Sequence, residues 1–437
     1  MTPISSSRSG ASAPHLGTTR TELAPGQGQD EVDAARRARR ARARTLRRRA
    51  AGVTEFRRLA FCGRYRAEFV ADAVRVRVDE AGTARYSGLQ VCGLVWVCPV
   101  CSAAIREERA REVERAGQAT LAAGGELFFV TLTLPHRWDD GLDELLRIVG
   151  PSWTDITRSR GWRGLKFEIG GLDFVRAVEV THGRNGWHPH LHVLLMTGAQ
   201  ITRAQLLELR SVITEQWADA VVRRGGRRPG EGVGVRVDVV GRGAEALAQY
   251  LLKVQDKTAL AIGREMTRGD VKKGRRVGSR SAFEILEGAV RGRGRDRELW
   301  AEYERATAGR RCLTWSHGIK ARLGLDELTD QAAAEEAPGL DAAVLNDTDW
   351  DLVQTYKRDT SLLDAVELAI ASGGRFDLAA WLRPLRRRAE FDERIAVRRL
   401  ARAGLLDGGG GVELGPPGLD LAQAQLQLFD GVGDAQA

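Results

Sequence analysis

The sequence predicts an α+β fold built on a mainly antiparallel sheet, and three observations carry that prediction. Strand-like apolar runs and amphipathic helical stretches follow one another irregularly rather than in a βαβ rhythm. Two of the runs are joined by Asn185-Gly186, a preferred pair for a tight hairpin. A cysteine-rich stretch stands ahead of the first of those runs. The chain of 437 residues, 43% hydrophobic and 29% charged, is long enough for a packed core and for more than one domain. It contains no run of about 18 apolar residues that would span a bilayer. Nothing after Met1-Thr2-Pro3 reads as a secretory signal, so a soluble, cytoplasmic protein with no membrane partner is expected. Lys and Arg total 67 against 58 acidic residues, and the net charge of +9 favours a polyanionic partner. Arg abundance also fits a GC-rich coding genome, so the placement of charge carries more than its total.

Taken in order, residues 1–55 read as a disordered basic arm, because nine Arg and no acidic residue lie between Ala34 and Ala50. Residues 56–124 form a cysteine element followed by a helix over 102–121. Residues 125–260 hold strands over 127–134, 174–182, 188–196 and 233–240. The same stretch holds a helix over 202–222, capped by Thr202, and a second over 244–257. Residues 261–300 read as a basic Gly/Arg-rich segment, 301–406 as a mostly helical accessory region, and 407–437 as a flexible tail behind a Gly/Pro linker.

Cys98-Pro-Val-Cys101 is a C-x-x-C knuckle whose two thiolates can take adjacent corners of a tetrahedral zinc site. Cys62 and Cys92, each followed by Gly, can supply the other two. A redox pair or unrelated small buried residues is the competing reading. Four Cys packed between 62 and 101, with Cys312 remote, favour structural zinc.

His188-Pro-His190-Leu-His192 holds three of the seven His in the chain. On a strand all three share one face. A type I′ turn at Asn185-Gly186 would pair Arg184 with Trp187, and hence Thr181 with His190 and Glu179 with His192. Two imidazoles and one carboxylate with open positions suit Mn²⁺ or Mg²⁺ as a Lewis acid, and zinc or iron also fits such a donor set. The competing reading is a hairpin with exposed His and a surface carboxylate. Further on, Tyr250-Leu-Leu-Lys253 sets Lys253 beside the phenol on one helix face, with Lys257 one turn on. A cation there lowers the phenol pKa and neutralises phosphate, as a tyrosine nucleophile needs.

In this order, Phe128-Phe-Val-Thr-Leu-Thr-Leu134, His188-Pro-His-Leu-His192 and Tyr250-Leu-Leu-Lys253 resemble the three motifs of the HUH-endonuclease rolling-circle replication initiators (Rep proteins) of plasmids, single-tyrosine branch. The stretch from Cys92 to Cys101 resembles the cysteine motif ahead of that nuclease. The resemblance runs from about Cys62 to Lys257. It implies a central antiparallel sheet flanked by helices, with His190 and His192 as metal ligands, Glu179 as a third, and His188 contributing to the site or orienting it. Tyr250 would cut origin DNA, single-stranded or extruded as a hairpin, leaving a 5′-phosphotyrosine and a free 3′-hydroxyl. Rejoining would follow at termination. Relatives carry a Glu four residues before the Tyr, where this chain has Ala246. Glu245 lies about 140° away around a helix and is a poor substitute.

Lys257, Lys272, Lys273, Arg275 and Arg276 are expected to contact DNA. Gln425-Leu426-Gln-Leu428-Phe429 resembles the pentapeptide with which bacterial replication proteins dock on the polymerase sliding clamp, and a helicase is a further expected partner. Relaxases and single-tyrosine transposases share this chemistry. A zinc-containing DNA-binding regulator would instead bind without nicking. An iron oxygenase would have no use for Tyr250 or the basic segments.

Overall fold

The structure, a computed structural model, describes residues 27–67, 71–230, 232–240, 279–335 and 339–402. The fold is α+β, with two antiparallel sheets flanked by helices. Its main sheet is built from β3 (Leu127–Thr133), β4 (Leu172–Gly183), β5 (Gly186–Thr197), β6 (Val235–Val239) and β7 (Arg280–Ser281), in the order β6-β3-β5-β4-β7. A further strand, β8 (Leu313–Trp315), also pairs with β4.

Near-continuous apolar runs make β3 and β5 the buried centre of this sheet. Leu127, Val130, Leu132, Leu191, Val193 and Leu195 are all fully buried. Against it pack α3 (Pro99–Ala122), α4 (Leu142–Arg158), α5 (Arg160–Glu168) and α6 (Arg203–Arg223), which join one continuous core. Helix α6 begins where expected. Thr202 accepts from the Gln205 backbone N–H while the Gln205 side chain returns to the Thr202 N–H, which satisfies two otherwise orphaned donors. Its Trp217 donates Nε1–H to the Thr133 carbonyl at 2.8 Å, tying the helix to the end of β3.

A second sheet, in the order β2-β1-β9, combines β1 (Val74–Val78) and β2 (Ala84–Ser87) with the distant β9 (Leu340–Leu345). It forms a separate core with α11 (Asp347–Thr355), α12 (Asp359–Ala371) and α13 (Leu378–Arg402), centred on Val74, Val76, Trp350, Leu362 and Val366. The accessory unit is therefore discontinuous in sequence, and the expected boundary at residue 301 does not hold. Helix α8 (Gly294–Thr307), β8, α9 (Ile319–Arg322) and α10 (Asp330–Glu335) belong with the main core. The end of the expected basic segment is also core. Ser281 and Glu284 form a capping box that opens α7 (Ala282–Val290), which buries Ile285, Leu286 and Ala289.

The largest departure concerns the expected disordered arm, because α1 covers Gln27–Ala50. Its arginines have buried acidic partners that lie more than three hundred residues away. Asp359, 1% exposed, faces Arg44 at 3.6 Å, Arg47 at 3.9 Å and Arg48 at 2.6 Å, while Arg40 reaches Glu367 at 2.7 Å. Leu46 and Ala50 enter the main core, so α1 braces one core against the other. Helix α2 (Arg57–Phe61) then leads into the cysteines.

Candidate active site

Among the described residues two groups of side chains could hold a metal ion, Cys62 with Cys92, Cys98 and Cys101, and Glu179 with His190 and His192. Cys62 follows α2, Cys92 sits in a loop, and Cys98 caps α3 with Pro99 at its first position. Their sulfurs converge, with Cys62 at 3.5 Å from Cys101 and 3.8 Å from Cys98, and Cys92 at 3.6 Å from Cys101. All four are buried. The backbone after Cys62 turns through Gly63 at φ 62°, and after Cys92 through Gly93 at φ 61°, a conformation only glycine adopts without strain. Hydrogen bonds from Cys101, Cys92 and Cys98 hold the Cys62 thiol well below its ordinary value, while burial pushes Cys98 up. Such a buried set of soft donors fits a closed tetrahedral ion and leaves no open position for substrate. Cys312 is buried elsewhere, and burial raises its thiol pKa.

The second cluster lies on the β4–β5 hairpin. Its register differs from the expected one by two residues. Gly183 pairs with Gly186, Thr181 with His188 and Glu179 with His190, so the turn residues are Arg184 and Asn185. A type I′ turn needs positive φ at both Asn185 and Gly186, but only Gly186 has it, at 81°. That pattern is a type I turn closed by a glycine bulge, and it moves the ladder along. A shift of two keeps every side chain on its face, so Glu179 still meets both imidazoles. Its Oε2 lies 3.3 Å from His190 Nε2 and 3.0 Å from His192 Nε2. Glu179 and His192 are each only 6% exposed. Three convergent donors, two nitrogen and one oxygen, on neighbouring strands of the sheet fit a divalent ion with coordination positions left for substrate.

The neighbouring strand orients His192. Thr131 is its register partner on β3, with Oγ1 at 3.4 Å from Nδ1, and Phe129 stacks on the ring at 5.3 Å. Thr133 pairs with His190 in the ladder, and its hydroxyl donates to the Val233 carbonyl at 3.3 Å. Beside Glu179, a cavity of about 20 Å³ lined by Trp96, Arg106 and Tyr303 has room for about one water and connects the cysteine loop and α3 to the site.

His188 shares the face but is not grouped with the Glu179 triad. Its Nδ1 lies 2.7 Å from Nε2 of His136, whose Nδ1 lies 2.8 Å from the Asn185 carbonyl. A carbonyl only accepts, so His136 Nδ1 carries the proton in that bond. His136 was not anticipated. Its one sequence signal was its place directly after the first-motif strand, at Pro135-His136.

Tyr250, Lys253, Lys257, Lys272, Lys273, Arg275 and Arg276 lie outside the described residues, as do the helix expected over 244–257 with Glu245 and Ala246. The tail motif Gln425, Leu426, Leu428 and Phe429 lies outside them too. The described chain stops at Val240 and resumes into β7, where Ser281 pairs with Thr181, two residues from Glu179. Among the described residues no helix is long and apolar enough to cross a membrane.

No protein-family model and no solved structure matches the chain. Two curated proteins do. One, named Neomycin resistance protein, from Streptomyces cyanogenus, is 32% identical over 145 residues, covering 28% of this chain and 33% of that protein. The other, Protein rep of Streptomyces lividans, is 31% identical over 339 residues, covering 64% of this chain and 72% of that protein. With a likeness extending so far beyond the short motifs, the chain belongs to the Rep family of plasmid replication proteins.

Proposed function

We propose that this plasmid replication protein initiates rolling-circle replication by nicking one strand of its origin, with Glu179, His190 and His192 holding a divalent ion and Tyr250 as nucleophile. The observation that carries the reading is the convergence of Glu179 Oε2 on both Nε2 atoms within 3.3 Å. Mn²⁺ or Mg²⁺ held there would polarise the scissile phosphate as a Lewis acid.

The remaining chemistry belongs to the chain's own groups. Tyr250, deprotonated beside Lys253, attacks phosphorus in line with the leaving oxygen. The bond to the 3′ oxygen breaks, giving a 5′-phosphotyrosine and a 3′-hydroxyl that takes up a proton. Attack by a 3′-hydroxyl on the phosphotyrosine reverses the step and rejoins a strand at termination. With Ala246 where relatives carry Glu, activation of water at termination would have to come from elsewhere. Thr131 and Phe129 fix the ring of His192, which keeps the donors convergent before DNA arrives. Lys257, Lys272, Lys273, Arg275 and Arg276 would neutralise phosphates of the origin strand. The four cysteines would hold structural Zn²⁺. Gln425, Leu426, Leu428 and Phe429 would dock on the host sliding clamp, and a host helicase would open the duplex behind the nick.

The test is incubation of wild type and Tyr250→Phe with labelled single-stranded origin DNA and Mn²⁺, scoring scission and a protein band that carries DNA. Wild type should form the adduct and Tyr250→Phe should not. Binding by both proteins with neither cutting nor linkage would overturn the reading in favour of a DNA-binding regulator.

A further inference from the structure

We infer that Trp138 is a stacking platform for an unpaired base of the DNA strand bound at the Glu179, His190 and His192 centre, an inference that rests on the nuclease reading above. Trp138 is 76% exposed, an unusual position for an indole. The loop that carries it is nonetheless fixed. Arg137 N–H donates to Asp140 Oδ2 at 2.6 Å, and Asp140 N–H returns to the Arg137 carbonyl at 3.2 Å. Arg227 then grips both oxygens of Asp140, at 2.5 and 2.9 Å. The loop backbone also rests on the hairpin turn. A Cβ added to Gly186 would meet the Trp138 Cα at 2.9 Å and the Arg137 carbonyl oxygen at 2.9 Å.

This position adjoins the metal-binding face. Two residues before Trp138, His136 reaches His188, and ring centroids step from His136 to His188, His190 and His192 at 4.8, 5.2 and 4.7 Å. The exposed charges of the two turns are Arg137 and Arg184 against Asp139, because Asp140 is taken up by Arg227. An exposed indole on a fixed loop, with Arg137 and Arg184 exposed on the same two turns, offers a base its face and the adjoining phosphates counter-charge. Stacking of this kind does not depend on base identity, and it holds a strand splayed where a phosphodiester must be reached for in-line attack. A duplex keeps its base faces covered, so the platform selects single strands.

The test uses the full chain as wild type, Trp138→Ala and Trp138→Phe, with fluorescence anisotropy of a labelled oligothymidylate and of a labelled duplex. Trp138→Ala should bind the oligothymidylate about tenfold more weakly. Trp138→Phe should stay close to wild type, duplex affinity should be unchanged, and the thermal melts should coincide. Wild-type affinity of Trp138→Ala for the oligothymidylate overturns the platform, as does an equal loss on single strand and duplex, which would mark a general docking surface. The Tyr250 adduct assay separates the two ideas. Adduct formation with unchanged single-strand affinity in Trp138→Ala sinks the platform alone, whereas weakened binding with no adduct in wild type removes the nuclease, and with it the platform's place at that centre, leaving Trp138 a single-strand contact only. Failure of wild type to bind the oligothymidylate overturns the platform, whose stacking does not depend on base identity, and leaves the nuclease to the assay on origin DNA.

Discussion

The two ligand clusters of this molecule differ in how they are assembled. The cysteine cluster gathers donors from the end of α2, a loop and the first turn of α3, and seals them in the core. The histidine cluster takes all its donors from one hairpin, and His190 and Glu179 are directly opposed in its ladder. A set closed by long-range packing has four soft donors and no room for substrate, which suits structure. A set built on a sheet has three harder donors and leaves coordination positions unfilled, which suits chemistry. The contrast also predicts how each responds to damage, since loss of the first releases chain elements while loss of the second leaves the sheet intact.

The largest expected effect comes from the closed cluster. Structural zinc contributes on the order of 10 kcal/mol, comparable to the whole stability of a domain. Cys98→Ser should therefore lower helicity and melting temperature sharply and release the metal, as followed by circular dichroism and a zinc-binding dye. An unchanged melt would break the comparison at its root. Next, His192→Ala and Glu179→Gln should cut Mn²⁺-dependent nicking more than about a hundredfold while the melt barely moves. If either variant melted like Cys98→Ser, the open cluster would be structural as well.

A smaller effect belongs to the hairpin turn. Gly186→Ala forces a Cβ against the 137–138 backbone at φ 81°, and should destabilise by about 1–3 kcal/mol, read as a lowered melting temperature. A wild-type melt would contradict the bulged turn. The smallest is Thr131→Val, which removes the hydroxyl at His192 Nδ1 and should weaken Mn²⁺ affinity about tenfold, measured by calorimetry, with stability almost unchanged.

How much of this was legible in the sequence depends on the range of the forces involved. The strands at β3, β4 and β5, the capped helix α6 and the C-x-x-C knuckle follow from periodicity and local hydrogen bonding, and the structure has them within a few residues of expectation. The turn type was misjudged because Asn185-Gly186 satisfies two turn geometries. The 137–138 backbone also seats on Gly186, a contact across 48 residues that no local pattern encodes. The site survived the error because side-chain direction in a strand repeats every two residues. In the same way Ser281-Ala-Phe-Glu284 carried a readable capping signal, masked by the basic composition around it.

By itself, then, the sequence determined which residue types stand on one face of each strand, where helices start, and that His190, His192 and a carboxylate could share a metal. Those outcomes rest on backbone geometry and on interactions a few residues long. Only the tertiary structure decided the rest. It turned an arginine run into a buried brace, because Asp359 supplies the charge that makes burying Arg44 and Arg47 tolerable and Glu367 does the same for Arg40. It joined β1 and β2 to β9 across more than 250 residues of chain. It also brought His136 to His188, and set the exposed Trp138 against the turn of the hairpin that carries the histidines. A charged or aromatic side chain takes its role from the partner it meets, and the partners here come from distant parts of the chain.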